Sequence, residues 1–444
     1  MFVMCLGFLF LTFVLYIMVY VFIGFDDMDT HDGGCTTYVM YLFLKELVRR
    51  FGDCVVDLPR LVRLNPYVPF KTRGNAAVSV ILNVSEDDVC EVIDIARWVV
   101  TNHVKIKGKT SPGFVYYVSN SLNIPEELKQ FYMKALTDII LKDYALKLSK
   151  KLNIHVEGGR GIIGALASLG EDFSNDVTYE VLVYRDGEER VEITSSTLKN
   201  ISEAAKPFTF LNVDEDGRVL IMPKGPDPVL FGIRGDSPYH VLAVMTYILN
   251  IMNVKYSGWI VYKTNQATNN HLKMRPKYRP YAPYITIGII EKTFRTQHHH
   301  LVVKLNNNVK IIAYRHLGKI LNVLQNSVGS LVEVWGGVKP EGRGYSLYLE
   351  GLKVLSNYNI KLLNPKCPKC NSRMKSSGKG RPLRCPKCKY LLRVFSKTIV
   401  KDGHTLHGIF YPRLSEFRHL MKPEDRFGIE GMGRVFLKPL MWIH

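Results

Sequence analysis

One short segment, residues 24–38, constrains the fold of this chain most strongly. The run before it, residues 19–24, is β-branched and aromatic, which predicts a buried strand. After it, apolar residues recur at helical spacing from Tyr38 onward, and Phe51 followed by Gly52 predicts the end of that helix. The sequence therefore predicts a strand that delivers acidic side chains to its rim, beside the N-terminus of a helix.

The segment combines carboxylates with a pair of glycines at the helix start. Its candidate metal ligands are Asp26, Asp27 and Asp29. Such oxygen ligands suit Mg²⁺, which commonly bridges carboxylates and phosphates. Gly33 and Gly34 precede Thr36 and Thr37, where backbone N–H groups and the helix dipole can hold an anion. The pattern predicts a nucleotide site, and the alternative that it leaves open is an Asp-rich turn with a threonine N-cap.

The charge balance indicates a polyanionic partner. The chain has 444 residues, a formal net charge of +19 and a pI near 9.4. This surplus favours nucleic acid as the partner, with a membrane surface second. With 47% hydrophobic residues, the chain is long enough for about three or four globular domains.

Two Cys-x-x-Cys pairs separated by 14 residues form the most specific constellation in the sequence. Four thiolates on two tight turns, Cys367, Cys370, Cys385 and Cys388, predict a tetrahedral Zn²⁺ site that is structural, because no coordination position is left for substrate. Residues 366–397 contain eleven Lys or Arg and no acidic residue. Solvated surface is the alternative, but a phosphate-binding surface is the better interpretation. Its predicted contact residues are Lys366, Lys369, Arg373, Lys375, Lys379, Arg381, Arg384 and Lys387.

A run of strands precedes the cysteines. The pattern predicts strands at residues 284–293, 298–305, 309–314, 331–338 and 346–355, with a helix at 317–324. Three strands, a helix and two strands predict an OB-fold barrel, which binds nucleic acid. The histidines at 298–300 would then lie on a strand, whose alternate side chains face opposite ways, so they are not expected to share a metal ion.

Several motifs together resemble the archaeal tRNA-isoleucine (CAU anticodon) 2-agmatinylcytidine synthetase family. They are residues 24–38, 59–66, 69–75 and 232–238, and the resemblance extends from Met18 to about Pro423. The family typically reads Gly-Ile-Asp-Asp-Thr-Asp-Ser at the first motif. Here Phe25, Met28 and Thr30 depart from it, whereas the three aspartates match.

The resemblance implies a multidomain α+β architecture. An N-terminal kinase-like α/β module that binds ATP is expected at 18–150, a ferredoxin-like domain at 151–273, an OB-fold tRNA-binding domain at 274–358, and a zinc ribbon with a C-terminal tail at 359–444. The Gly-Arg-Gly at residues 159–161 would open the second domain near the groove between the first two modules.

The resemblance also implies roles for particular residues. Asp26, Asp27 and Asp29 would hold Mg²⁺, and Thr36 occupies the position of a threonine that becomes phosphorylated in the family. The expected nucleotide-binding residues are Gly33, Gly34, Thr37, Lys71, Arg73 and Asn75. Taken alone, residues 69–75 could equally be a solvated basic loop. Asp236 and Ser237 would bind the guanidinium of agmatine, although Asp236 could equally be a helix N-cap. Arg418, His419 and Lys422 would contact tRNA.

The implied activity is that of an ATP-dependent ligase in the cytoplasm. It would phosphorylate oxygen 2 of the wobble cytidine and attach agmatine at carbon 2, so that the tRNA reads AUA. The cofactors would be ATP, Mg²⁺ and structural Zn²⁺, and the substrates isoleucine tRNA and agmatine, with no membrane partner. The alternative is a non-catalytic nucleic-acid-binding protein, which explains residues 282–397 equally well but leaves residues 26–37 without a role.

The first 25 residues contain no charge, which on hydropathy alone predicts a transmembrane helix. Residues 19–24 are required as the strand before the aspartates, however, and one segment cannot serve both purposes. We therefore expect residues 1–17 to be a mis-called start or a hydrophobic leader, and the working protein to begin at Met18. A membrane anchor is the remaining alternative.

Overall fold

The structure is a computed structural model. It describes residues 17–444 except 31, 72–73, 188–193, 224, 253, 273–277, 357–359, 379–380, 394–397, 402–406 and 432–441. Residues 1–16 of the expected leader lie outside the described residues. Within the part of the chain that is described, no helix is both long enough and apolar enough to cross a membrane.

The N-terminal module is built on the predicted strand β1, which lies between two antiparallel neighbours, β3 and β4. Its strands are β1 (Met18–Asp26), β2 (Arg60–Arg63), β3 (Ala76–Ser85), β4 (Gly113–Ser119) and β5 (His155–Gly158). Its helices are α1 (Thr36–Phe51), α2 (Val89–His103), α3 (Glu126–Thr137), α4 (Lys142–Lys151) and α5 (Ile162–Leu169).

The second module has the order strand, helix, strand, strand, helix, strand. These elements are β6 (Thr178–Arg185), α6 (Ser195–Ala204), β7 (Thr209–Phe210), β8 (Val229–Gly235), α7 (Pro238–Met252) and β9 (Tyr256–Thr264). Strand β9 pairs in parallel with β2 through Arg60 and Leu61. The two modules therefore share one nine-stranded sheet, in the order β5-β4-β1-β3-β2-β9-β6-β8-β7.

A five-stranded barrel follows. Its elements are β10 (Pro283–Arg295), β11 (Leu301–Leu305), β12 (Lys310–Ala313), α8 (Lys319–Asn326), β13 (Leu331–Glu341) and β14 (Gly344–Ser356). Parallel pairing of β12 with β14, at Ile311 and Leu347, closes the barrel. A separate hydrophobic core fills it, with Val303, Leu324 and Val334 among its fully buried members.

The strand expected to begin at residue 298 begins instead at Leu301. His298 and His299 lie in the turn after β10, and His299 has a φ of +61°, which reverses the chain direction. The prediction that the histidines at 298–300 lie on a strand was therefore wrong. Among the described residues, the four predicted cysteines are the one group of at least three His, Cys, Asp or Glu side chains whose ligand atoms lie close enough together to share a metal ion, and Asp26, Asp27 and Asp29 do not form such a group.

The cysteine module and the tail complete the chain. The module contains β15 (Ile360–Leu363) paired with β18 (Thr398–Lys401), and β16 (Leu383–Arg384) paired with β17 (Leu391–Leu392). Strand β19 (Gly408–Phe410) then pairs with β14 of the barrel. Beyond it the tail returns to the large sheet, where Val261 N donates to Trp442 O at 2.8 Å and His444 N donates to Trp259 O at 3.0 Å. The final residues, which matched no pattern, thus bond to β9.

A buried glutamate beside the large sheet gives a test of this packing. Burial raises the pKa of Glu171 to about 7, above the 4.5 of an ordinary glutamate. Between these values the folded state keeps a proton that the unfolded state has released, so the free energy of unfolding falls as pH rises through the window. We expect Glu171→Gln to stabilise the protein near pH 8 by on the order of 2–3 kcal/mol and to have little effect near pH 5.

Urea unfolding at the two pH values measures this difference. The matched control is Glu126→Gln, because Glu126 is exposed. Equal effects of Glu171→Gln at both pH values would contradict the assigned burial of this carboxyl group.

Candidate active site

A cavity of about 430 Å³ lies between the first two modules. Its acidic lining residues are Asp26, Asp27, Asp29, Asp138, Glu180 and Asp227. Its basic lining residues are Arg63, Lys71, Arg160, Arg234 and His419. Thr36, Thr37 and Asn75 also line it. The structure thus brings together most residues of the predicted nucleotide site, with carboxylates and cations in one enclosed space.

The predicted aspartates lie where β1 ends. Asp27 N donates to Asp26 Oδ1 at 2.7 Å, and Asp27 itself has a φ of +57°. Burial, together with the charges of Asp27 and Asp29, raises the pKa of Asp26 well above its usual range. Crowded carboxylates of this kind bind a hard cation favourably, because the cation replaces repulsion between like charges with attraction.

Arg160 is a member of the site that sequence reasoning missed. Its Nη2 donates to Asp27 Oδ2 at 2.9 Å, and its backbone N donates to Ser111 Oγ at 2.7 Å. Ser111 N donates to the same Asp27 oxygen at 3.1 Å. The only sequence signal was an arginine between two glycines at residues 159–161, which was interpreted as a domain boundary.

Helix α5 packs directly against the aspartates. A Cβ atom built on Gly164 would lie 1.9 Å from Asp26 Oδ2, so no side chain fits at this position. Arg160 immediately precedes this helix, and β5 before it pairs with β4. Residues 155–169 therefore pack against the strands that carry and flank the aspartates.

The glycine pair lies in a tight turn that leads into α1. Thr30 N donates to Gly33 O at 2.8 Å, and Gly34 has a φ of +78°, which favours glycine. Thr36 Oγ1 accepts from Met28 N at 3.2 Å, which holds the first helical residue close to the end of β1. Thr30 departs from the serine of the family motif, yet its hydroxyl also donates to Gly33 O, at 3.0 Å.

Cations line the opposite wall. Arg234 Nε donates to Glu180 Oε1 at 2.9 Å, whereas burial lowers the pKa of the neighbouring Arg63 to about 10. Burial and these two guanidinium groups lower the pKa of His419 well below its usual range, so its imidazole is neutral at pH 7. Arg63 thus adds a positive charge beside the Arg234–Glu180 ion pair, which makes this part of the wall suited to an anionic ligand.

The loop that carries Lys71 is fixed to the barrel. Burial, with the charges of Arg418 and Lys339, lowers the pKa of Lys71 to about 8. Arg418 Nε forms an ion pair with Glu350 Oε1 of β14 at 2.6 Å, and its guanidinium lies 5.1 Å from the Tyr67 ring centroid. The cavity wall therefore depends on contacts with the barrel.

Two other predicted nucleotide-binding residues complete this loop. Asn75 Nδ2 donates to the backbone oxygen of Asn65 at 2.7 Å, and Asn75 has a φ of +51°. Arg73 lies outside the described residues.

The predicted agmatine residues, Asp236 and Ser237, do not line the cavity. Asp236 Oδ1 accepts from Arg426 Nε at 2.7 Å, and Arg426 is completely buried. Asp176 binds the same arginine at 3.0 Å and Lys422 Nζ at 2.9 Å. The guanidinium beside Asp236 thus belongs to the protein itself, and Lys422, predicted to contact tRNA, is engaged in this buried ion cluster.

The four cysteines are arranged as a metal site requires. Their Sγ atoms all lie within 4.8 Å of one another, and Cys367 and Cys388 are 3.4 Å apart. Zinc bonds of about 2.3 Å place tetrahedral sulfur ligands about 3.8 Å apart, so the donor set fits Zn²⁺.

The predicted phosphate contacts surround this cluster. They are exposed, and within the described residues none pairs with a carboxylate: Lys366, Lys369, Arg373, Lys375, Arg381, Arg384 and Lys387. Lys379 lies outside the described residues.

Comparison with protein-family models matches three parts of the chain. Residues 22–158 match the TiaS TCKD domain, residues 159–271 the TiaS FLD domain, and residues 364–401 the TiaS C-terminal zinc ribbon domain. The first two models meet at residue 158, after β5.

Curated relatives are similar over nearly their whole length. The isoleucine-tRNA 2-agmatinylcytidine synthetase TiaS of Caldivirga maquilingensis is 41% identical over 95% of this chain and 99% of its own. The enzyme of the same name from Pyrobaculum neutrophilum is 38% identical over 91% of this chain and 95% of its own.

Solved structures agree with these matches. The crystal structure of TiaS in complex with its isoleucine tRNA and ATP has a TM-score of 0.77 and 32% identity, and covers 93% of this chain and 99% of that one. A complex of TiaS with the same tRNA, AMPCPP and agmatine has a TM-score of 0.76 and 29% identity, with the same coverage. Because family models match residues 22–158, 159–271 and 364–401 and relatives of 41% and 38% identity are covered over nearly their whole length, the chain belongs to the isoleucine-tRNA 2-agmatinylcytidine synthetase family, TiaS.

Proposed function

We propose that this protein uses ATP to attach agmatine to the wobble cytidine of an isoleucine tRNA with a CAU anticodon. The observation that carries the proposal is the cavity, in which the carboxylates at the end of β1 face buried cations. Relatives of 32% and 29% identity were solved as complexes with an isoleucine tRNA and ATP, and with that tRNA, AMPCPP and agmatine. The product would be 2-agmatinylcytidine.

The chemistry requires a cavity of this kind. The carbonyl oxygen at C2 of cytosine is a poor leaving group, so a bond from O2 to phosphorus must form first. The agmatine amine then attacks C2, the C2–O2 bond breaks, phosphate leaves and the nitrogen loses a proton. Phosphoryl transfer depends mainly on alignment and on neutralising charge.

Asp26, Asp27 and Asp29 are proposed to hold Mg²⁺, which when bound neutralises phosphate charge. Burial and the charges of Asp27 and Asp29 raise the pKa of Asp26, and this repulsion supports the assignment because a bound cation would offset it. Arg160 already provides one positive group for Asp27. It would orient that carboxylate and remain near the phosphates.

The remaining nucleotide contacts surround the aspartates. The turn at Gly33 and Gly34, the Thr37 backbone and the loop residues Lys71, Arg73 and Asn75 are proposed to bind ATP. The proximity of Lys71 and Asn75 to the cavity supports the assignment for the two described loop residues. Thr36 is proposed to accept a phosphoryl group, since its hydroxyl accepts from Met28 N and can donate its own hydrogen into the cavity.

Asp236 and Ser237 are poor candidates for the agmatine site, because Arg426 already binds Asp236. Asp227 is the better candidate for the agmatine guanidinium. It lines the cavity and lies close enough to raise the pKa of Cys35, next to Thr36, although burial raises that pKa most.

The other domains are proposed to hold the tRNA. The sheet order β9-β6-β8-β7 supports a ferredoxin-like fold, and the parallel closure of the barrel supports an OB-fold. The exposed basic residues of the zinc ribbon are proposed to bind phosphates without reading the base. Arg418 forms an ion pair with Glu350, and His419 lines the cavity. Both residues are therefore better suited to supporting the cavity than to contacting tRNA. A tRNA substrate agrees with a cytoplasmic location.

The first prediction concerns the carboxylates. Asp27→Asn should lower agmatine incorporation roughly 10²-fold, because it removes charge from the proposed metal site and weakens the contact with Arg160. Mass spectrometry of digested isoleucine tRNA, after incubation with ATP, Mg²⁺ and agmatine, measures the modified cytidine. Asp53→Asn, an exposed position in the same module, is the matched control. Tight tRNA binding by the wild-type protein without any product would favour the non-catalytic alternative.

The second prediction separates the two threonines. Intact mass spectrometry after incubation with ATP and Mg²⁺ should detect one phosphoryl group on the wild type and on Thr37→Val, but not on Thr36→Val. Thr36 and Thr37 are equally buried, each with 7% of its surface exposed, so the two variants are closely matched. Phosphorylation of Thr36→Val at the wild-type level would refute this role of Thr36.

The third prediction concerns the metal. Cys385→Ser should lose one equivalent of zinc and raise the KM for tRNA about tenfold, because the basic surface is no longer held in place. Zinc content is measured by atomic emission and ATP binding by calorimetry. The ATP affinity should not change, since the cysteines do not line the cavity. An unchanged zinc content would exclude the four cysteines as the zinc site.

A further inference from the structure

The loop between α2 and β4, residues 104–109, is called here the lysine loop. It contains Lys105, Lys107 and Lys109, all exposed, and residues 104–112 include no acidic residue. Gly108 has a φ of +64°, and Thr110 N donates to Lys107 O at 3.2 Å, so the chain makes a tight turn here.

The residues that directly follow the lysine loop are bonded to the aspartates after β1, and Arg160 links the loop itself to Asp27. Thr110 Oγ1 donates to the backbone oxygen of Asp29 at 2.7 Å, and Ser111 N donates to Asp27 Oδ2 at 3.1 Å. Arg160 Nη2 bridges Asp27 and the backbone oxygen of Lys109, at 2.9 and 3.0 Å. These contacts hold the loop in a defined position relative to the aspartates.

The charges of the loop are only partly balanced. Lys107 forms an ion pair with Asp32, whereas within the described residues Lys105 and Lys109 pair with no carboxylate. Ile106, between two lysines, is 78% exposed, more than any other large hydrophobic side chain in the described part of the chain. Exposed ammonium groups beside an exposed apolar side chain match a nucleic acid, which presents phosphates next to bases and sugars.

We propose that the lysine loop binds the tRNA backbone next to the nucleotide that enters the cavity. A base that leaves its stack must be held by its neighbours, and phosphate contacts on either side fix its position. Lys105 and Lys109 bind these phosphates, and Ile106 packs against a flanking base or ribose. This proposal rests on the proposed function, because it takes the cytidine of tRNA as the group that enters the cavity.

The test compares two double variants of the full-length protein that change charge equally. Lys105→Gln with Lys109→Gln removes the unpaired charges of the loop, and Lys147→Gln with Lys150→Gln removes two exposed charges on α4. Binding of an isoleucine tRNA transcript with a CAU anticodon is measured by fluorescence anisotropy, without agmatine, over a series of salt concentrations. ATP affinity is measured in parallel.

The loop variant should raise the Kd for tRNA about tenfold at low salt and reduce the salt slope by about 1.5, since each lost phosphate contact removes roughly 0.7–0.9. Its ATP affinity should match that of the wild type. Equal effects of the two double variants, or no change in the slope, would overturn the proposal. If the wild type forms no agmatine adduct but the loop variant still loses tRNA affinity, the proposed reaction fails and the RNA surface remains.

A single variant tests the apolar contact. Ile106→Ser should slow agmatine incorporation about tenfold, because partial burial of an isoleucine side chain against a base or ribose contributes about that factor. The salt slope should not change, since no charge is removed. Incorporation at the wild-type rate would overturn the role of Ile106.

Discussion

The structure depends on the crowding of three carboxylates at the end of one buried strand. Burial and repulsion from Asp27 and Asp29 disfavour the charged form of Asp26 and so raise its pKa. Nearby cations offset this repulsion. Arg160 supplies one such positive charge by bonding to Asp27. Helix α5 lies so close to Asp26 that a glycine, Gly164, is present at the point of contact. A metal ion and the phosphates of ATP would complete the charge balance, so the crowded carboxylates are also the ones best placed for phosphoryl transfer.

The cavity exists because two modules share one sheet. Strand β9 joins β2, and the C-terminal tail secures this junction by bonding to β9 and by burying Arg426 between Asp176 and Asp236. The barrel contributes Glu350, which holds Arg418 beside the wall of the cavity. A tRNA bound by the barrel and the lysine loop would therefore contact elements that are linked to the cavity through Arg418 and Arg160.

Local patterns predicted the local structure well. Strand β1, helix α1 and the spacing of the four cysteines depend on neighbouring residues, and the structure confirms all three. Partners distant in sequence could not be predicted in this way. Arg160 is 133 positions from Asp27, and Arg426 is 190 positions from Asp236, so periodicity contains no signal for either pair. The turn at His299 was missed because a non-glycine residue adopts a positive φ there.

The most direct test of the account locates the metal ion. Crystals of the protein grown with Mn²⁺ and a non-hydrolysable ATP analogue would reveal the ion by anomalous scattering, since Mn²⁺ takes the same oxygen ligands as Mg²⁺. The account predicts one strong peak bridging the side chains of Asp26, Asp27 and Asp29 and the phosphates of the analogue. A peak held by other residues, or an analogue bound with Arg160 and the three aspartates left without metal, would contradict it.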